Sequence, residues 1–121
     1  MILVDTSVWI NHFRDSDAEL VEKLDIGFVA CHPFIIGELA CGNLRNRAEI
    51  IFLLQALPSA PLIEPEEILE FIEKKSLMGC GLGYVDIHLL ASAVLGNVNL
   101  WTADRRLGAI ATELGVSYLS A

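Results

Sequence analysis

Positive charge is scarce in this chain: eight Lys and Arg stand against sixteen Asp and Glu, giving a formal charge of −8 and a sequence pI near 4.7. That balance excludes a protein whose main task is coating nucleic acid. Cysteines are few, odd in number and without C-x-x-C spacing (Cys31, Cys41, Cys80), so neither a disulfide framework nor a zinc knuckle is supported, and all three are expected to be reduced and buried. The N-terminus has no basic stretch and its apolar start stops at Asp5, which reads as no signal peptide. No apolar run approaches the ~20 residues that span a bilayer. Repeats, low-complexity tracts and linkers are absent, and so is any Ser-His-Asp triad. The expectation is a single domain over residues 1–121, soluble and cytoplasmic, with no membrane partner.

What is present is apolar. A hydrophobic content of 54% and a mean hydropathy of +0.53 are high for 13.3 kDa. One core can be filled with apolar surface left over, which argues for a covered face, most simply in a homo-oligomer or against a tight protein partner. Six of the basic residues fall in three close pairs, Arg45/Arg47, Lys74/Lys75 and Arg105/Arg106. Such pairs can steer a phosphate backbone toward an acidic pocket, though each is also explained as a solvated helix face.

Short apolar runs alternate with longer segments of helical period, the pattern of an α/β domain with a mainly parallel sheet. Ile2 to Val4, Phe28 to Cys31, Leu100 to Thr102 and Ser117 to Leu119 read as strands, with Leu62-Ile63 a weaker fifth. Helices are expected over Ser7 to Phe13, Ala18 to Leu24, Phe34 to Cys41, Arg45 to Leu57, Glu66 to Met78, Tyr84 to Leu95 and Arg105 to Leu114. The Glu66 helix places Ile68, Phe71, Ile72 and the Leu77/Met78 end on one side. Gly79-Cys-Gly-Leu-Gly83 has closely spaced glycines, but it follows a helix rather than a strand and lacks a G-K-[ST] ending. It reads as a flexible connection placing Asp86, not as a phosphate loop.

Four acids interrupt or abruptly end apolar segments: Asp5 after Ile2-Leu-Val4, Glu38 inside Phe34-Ile-Ile-Gly-Glu-Leu-Ala40, Asp86 before Ile87-His-Leu-Leu-Ala91, and Asp104 after Leu100-Trp-Thr-Ala103. Asp5, Asp86 and Asp104 stand near helix starts, where a carboxylate caps free backbone N–H groups for ~1 kcal/mol, so capping alone accounts for each taken singly. Glu38 lies mid-helix, where an unpaired buried carboxylate would be costly. In a parallel sheet the residues just past the strand C-termini gather along one edge, where ligands bind. If all four carboxylates meet there, mutual repulsion raises their pKa values unless a cation neutralises them. Oxygen-only ligands favour Mg²⁺ or Mn²⁺ over zinc, and such an ion can activate water against a phosphodiester without a covalent nucleophile.

In order and spacing, Asp5-Thr-Ser-Val-Trp-Ile10, Ile36-Gly-Glu-Leu-Ala40, Asp86-Ile-His-Leu-Leu-Ala91 and Thr102-Ala-Asp104 resemble the motifs of PIN-domain ribonucleases, in particular VapC-type toxins of toxin–antitoxin pairs. The resemblance implies a PIN-like three-layer sandwich, a parallel sheet of about five strands flanked by helices. It also implies a pocket in which Asp5, Glu38, Asp86 and Asp104 hold Mg²⁺ or Mn²⁺, and cleavage of RNA to 5′-phosphate and 3′-hydroxyl ends. Thr6 and Thr102 take the family's hydroxyl positions, binding a metal water or orienting a carboxylate. A homodimer and a VapB-type antitoxin, whose tail covers the groove, are implied as partners. Arg105-Arg-Leu107 follows where some relatives carry a further Asp, so one tight metal site is expected.

His88, two residues past Asp86, reads as a packed histidine rather than a general base. His12 and Arg14 could border an RNA groove, although a solvated helix end is their default. Trp9 and Trp101 read as core. A PIN-like binding module without turnover is the main rival reading. A response-regulator-like receiver is excluded by the absence of any Lys after Lys75.

Overall fold

The computed structural model describes residues 1–120. Its sheet has three strands, β1 (Ile2–Val4), β2 (Val29–Ala30) and β3 (Asn99–Trp101), in the order β2-β1-β3 and all parallel. Leu3 of β1 pairs with Ala30 on one side and Leu100 on the other. Every β1 side chain is buried, as a central parallel strand covered on both faces requires.

Around the sheet run seven helices: α1 (Thr6–Asp15), α2 (Ala18–Asp25), α3 (Pro33–Ala40), α4 (Arg47–Ala56), α5 (Pro65–Lys75), α6 (Tyr84–Gly96) and α7 (Arg105–Glu113). Helix α6 is apolar on all sides and Ile87 through Ala93 are buried without a break, which marks an internal helix rather than a surface one. Its C-terminal half closes on residue 61. Ser92 Oγ donates to Pro61 O at 2.5 Å, and a Cβ on Gly96 would lie 2.7 Å from Pro61 Cδ, so that position has room only for glycine.

Three strands form, not the expected five. Each flanking segment contributes a single parallel bridge, Cys31 to Ser59 at one edge and Leu100 to Ser117 at the other. At the first edge Cys31 N donates to Pro58 O and Ala60 N donates to Cys31 O, both at 2.8 Å. Pro58 and Pro61 have no N–H to extend that ladder. The expected strand at Leu62-Ile63 is therefore displaced to residue 59, while Ile63 still packs into the core and Leu62 is exposed. Helix α5 ends at Lys75 because Ser76 turns left-handed at φ 53°. Leu77 stays buried past that turn, but Met78 faces solvent instead of continuing the apolar side. Only Cys31 is buried; Cys41 is exposed and Cys80 half-buried, and all three are free thiols. Trp9 and Trp101 are core residues.

His32, which the apolar pattern does not single out, is fully buried. It caps α3 through Nδ1, which accepts from Phe34 N at 3.0 Å, with Pro33 in the first helical position. Accepting at Nδ1 puts the proton of the neutral ring on Nε2. The Phe34 ring lies 5.1 Å from His32 and 4.7 Å from His88, and Tyr84 covers His88 from 4.6 Å, so both imidazoles sit in aromatic surroundings. Burial, with the nearby His88 adding to it, pushes the His32 pKa down from 6.5 to about 4. The unfolded chain therefore takes up a proton near pH 6.5 that the folded chain refuses until about 4, so stability is full above that window and falls as pH drops through it. Urea unfolding of His32→Asn, which keeps a capping oxygen, should lose less stability than the parent between pH 7 and pH 4.5, by up to roughly 3 kcal/mol. Parallel stability profiles for the two proteins would refute this role.

Candidate active site

The junction of β1 and α1 carries Asp5, which is buried although charged. Its backbone belongs to the sheet, with Asp5 N donating to Trp101 O at 2.9 Å, and its side chain caps α1 by accepting from Thr6 N at 2.8 Å. The second carboxylate oxygen, Oδ2, accepts from Thr102 Oγ1 at 2.7 Å and from Ser7 Oγ at 2.9 Å. Ser7 Oγ in turn accepts from Ala103 N at 3.0 Å, and Thr102 Oγ1 from Asp104 N at 3.0 Å. Two hydroxyls thus lock the turn after β1 to the turn after β3, and Asp5 sits at the centre of that lock.

The other three acids surround it. Glu38, on α3, is exposed rather than buried, so the cost of hiding its charge does not arise; Thr6 Oγ1 donates to its Oε1 at 2.7 Å. Asp104 caps α7, its Oδ1 accepting from Arg106 N at 2.9 Å and Leu107 N at 3.0 Å. Asp86 lies in the first turn of α6, where Gly83 is the helix cap. Burial raises the Asp86 pKa above its usual 3.8, the charge of Asp5 raises it further, a backbone hydrogen bond from Gly83 opposes, and Asp104 and Glu38 add to the rise. The charges of Asp5, Asp104 and Glu38 therefore all reach Asp86 through space.

Thr6 and Thr102 each hold a carboxylate, as expected of them. Ser7 belongs beside them; its signal in the sequence is its place, two residues after an Asp that ends a strand. His88 lies apart, packed between Phe34 and Tyr84. The glycine-rich connection before Asp86 is pinned rather than loose: Arg106 donates to Gly81 O at 3.4 Å, and a Cβ on Gly81, at φ 86°, would collide with the Arg106 side chain at 2.4 Å.

Among the described residues none of these four acids forms an ion pair. Among the described residues the one ion pair joins Lys23 to Glu22, and no three acid, His or Cys side chains are drawn together as a finished metal shell. Glu38 Oε2 and Asp104 Oδ2 accept no hydrogen bond within the described residues and remain available to a ligand. An all-oxygen donor set with surplus negative charge and free lone pairs fits a hard divalent cation.

Known proteins resemble this chain in sequence and in fold. The family model described as the PIN domain matches residues 2–113. Over 118 residues the chain is 47% identical to Ribonuclease VapC32 of Mycobacterium tuberculosis, in each of two strains, covering 97% of this chain and 95% of the relative. The crystal structure of PAE2754 from Pyrobaculum aerophilum superposes with a TM-score of 0.63 at 16% identity, covering 94% of each chain, which speaks to the fold alone.

The raised pKa of Asp86 has a consequence for stability. A folded state that holds this proton more tightly than the unfolded chain loses stability as pH rises through and just above the ordinary carboxylate range. At pH 7 the ionised Asp86 is thus a net cost to the metal-free fold. Asp86→Asn should raise the melting temperature of chelator-treated protein at pH 7 by ~2–5 °C and have a smaller effect at pH 4. A lower melting temperature for the variant at pH 7 would sink the claim of repulsion.

Proposed function

Because this chain belongs to the PIN-domain family, we propose that it is an endoribonuclease that hydrolyses RNA phosphodiesters with a divalent cation, Mg²⁺ or Mn²⁺, and acts as the toxin of a toxin–antitoxin pair. The observation that carries the reading is the unneutralised carboxylate group built around Asp5. A binding module without turnover is not favoured, because the near full-length relative is named a ribonuclease and all four acids are present in the sequence.

Asp5, Glu38, Asp86 and Asp104 would hold the cation, which when bound polarises the phosphodiester and lowers the pKa of the attacking water. Thr102 and Ser7 fix the plane of the Asp5 carboxylate, so its remaining lone pairs point in one direction before any ligand arrives. Thr6 does the same for Glu38 and leaves Oε2 outward. Asp104 is oriented by two backbone N–H groups of α7 on Oδ1, and its second oxygen accepts no hydrogen bond within the described residues. Asp86 is the carboxylate whose charge the metal-free site tolerates least, hence the one a cation relieves most. No covalent nucleophile is needed, and the expected products carry 5′-phosphate and 3′-hydroxyl ends.

A VapB-type antitoxin and a second copy of the chain are the protein partners of this reading. Exposed Phe52 and Leu53 on α4 and Leu69 on α5 supply apolar surface that such partners would cover. No described helix is long and apolar enough to cross a membrane.

Three measurements test the reading. Asp5→Asn should abolish chelator-sensitive RNA cleavage with an unchanged circular dichroism spectrum, since the amide can still cap α1 and meet both hydroxyls; cleavage at the parental rate would refute the assignment. Thr102→Val, which removes one hydroxyl bond to Asp5 while keeping the side chain's shape, should lower kcat about 10–100-fold. Added Mn²⁺ should raise the parent's melting temperature by stabilising only the folded state, and should do so less in Asp5→Asn.

A further inference from the structure

We propose that Arg106 is a positioning residue for the cation site, setting the places of Asp86 and Asp104 together by bracing the start of α6 against the start of α7, an inference that rests on the metal-nuclease reading above. Its backbone N–H donates to Asp104 Oδ1 at 2.9 Å, and its guanidinium crosses to the loop ahead of α6, where Nη1 donates to Gly81 O at 3.4 Å. The base of the arginine is fixed, because the next residue, Leu107, is buried in the core and its N–H shares the same Asp104 oxygen. Gly81 makes room for the arm. At φ 86°, a Cβ there would lie 2.4 Å from Nη1 and 3.0 Å from both Cδ and Cζ, so the arginine occupies the space a side chain would fill.

That loop has little else to hold it. Among the described residues, the other hydrogen bonds of residues 76–83 run within the loop or to the helices on either side: Ser76 N and Leu77 N to α5, Cys80 N to Leu77 O at 3.4 Å, and Gly83 to α6. Only Leu77, at the end away from α6, is buried. Gly79 and Gly81 both have positive φ, and Gly83, which begins α6, has no side chain to cap it. Glycine-rich backbone with few tertiary contacts gives way locally, and Asp86 stands three residues past Gly83, in the first turn of the helix this loop leads into. The charge of Asp104 bears on Asp86, so the two carboxylates served by this arginine lie within reach of one another. Holding both from one residue fixes their separation, which a small ion of strict octahedral geometry such as Mg²⁺ requires. Positioning and charge act here with opposite sign. A guanidinium near a cation site repels the cation, so an arginine acting through charge alone would tighten metal binding when removed, whereas loss of a brace weakens it.

The test is Mn²⁺ binding to the full chain, followed by the electron paramagnetic resonance signal of the free ion at constant ionic strength. Arg106→Gln should bind Mn²⁺ about tenfold more weakly than the parent, the low end for a residue that orients metal ligands. Gly81→Ala displaces the guanidinium from the other side of the contact and should weaken Mn²⁺ binding to a similar degree, with the double variant no worse than either alone. In RNA cleavage Arg106→Gln should need about tenfold more Mn²⁺ for its half-maximal rate, with KM for RNA unmoved. A brace that only stabilised the fold would lower the melting temperature and leave the Mn²⁺ requirement where it was. Mn²⁺ affinity in Arg106→Gln equal to or tighter than the parent's overturns the proposal. So do losses that multiply in the double variant, since the two residues then act separately, and so does a raised KM for RNA with Mn²⁺ affinity intact, since the guanidinium then binds a phosphate. Failure of the metal-nuclease reading is a different result: the parent itself would bind no Mn²⁺ and cleave no RNA.

Discussion

The hydrogen bond from Thr102 to Asp5 joins two turns that are 97 residues apart in the chain, and the site depends on it. β1 and β3 are neighbours in a parallel sheet, so their C-terminal ends lie side by side, and the residues that follow them have nowhere to go but the same edge. Asp5 uses that edge three ways at once: its N–H extends the β3 pairing, its Oδ1 caps α1 and its Oδ2 collects two hydroxyls. A buried anion with this many donors is oriented before any ligand arrives, and preorganised charge is what a metal-dependent phosphoryl site requires.

That arrangement explains why capping and catalysis are not rival accounts of the acids. Asp5 and Asp104 both cap helices, as their positions alone suggest, and each does so with one oxygen. Asp104 leaves the other oxygen free of hydrogen bonds, so the cap fixes the side chain's direction without consuming its capacity to bind. Asp86 follows a different route: Arg106, two residues past Asp104, reaches across to Gly81 and ties the loop ahead of α6 to the start of α7. The glycine there is favoured by its left-handed backbone, and a side chain in its place would have to push the arginine end aside.

Much of this is legible in the sequence because parallel α/β topology turns spacing into proximity. An apolar run followed at once by an acid marks a strand end, and two such places plus two acids near helix starts suffice to nominate the four carboxylates. The number of strands is not legible. Segments around Ser59 and Ser117 make one bridge each, a distinction set by prolines and by where the chain leaves the sheet rather than by hydrophobic pattern. Ser7 escapes notice as a site residue because a serine at a helix start already has a local explanation. His32 escapes it because the neighbouring Phe34 backbone and the rings around it give it a role, and neither is written in periodicity. Glu38 stands out in the sequence for the wrong physical reason: the helix is apolar, but this position faces outward.

The outward position of Glu38 matters more than the burial expected of it. A carboxylate deep in the core would need a partner for its charge, whereas one at the surface, held by a single threonine, keeps its other oxygen solvated. Asp5 is the opposite case, buried and held by three donors, and Asp86 lies between, its pKa raised by burial and by its neighbours' charge. The site therefore has a buried anchor, a member whose charge is disfavoured and an exposed rim. The apolar sheet beneath, with every β1 side chain buried, is what supports a site carrying this much like charge in so small a domain.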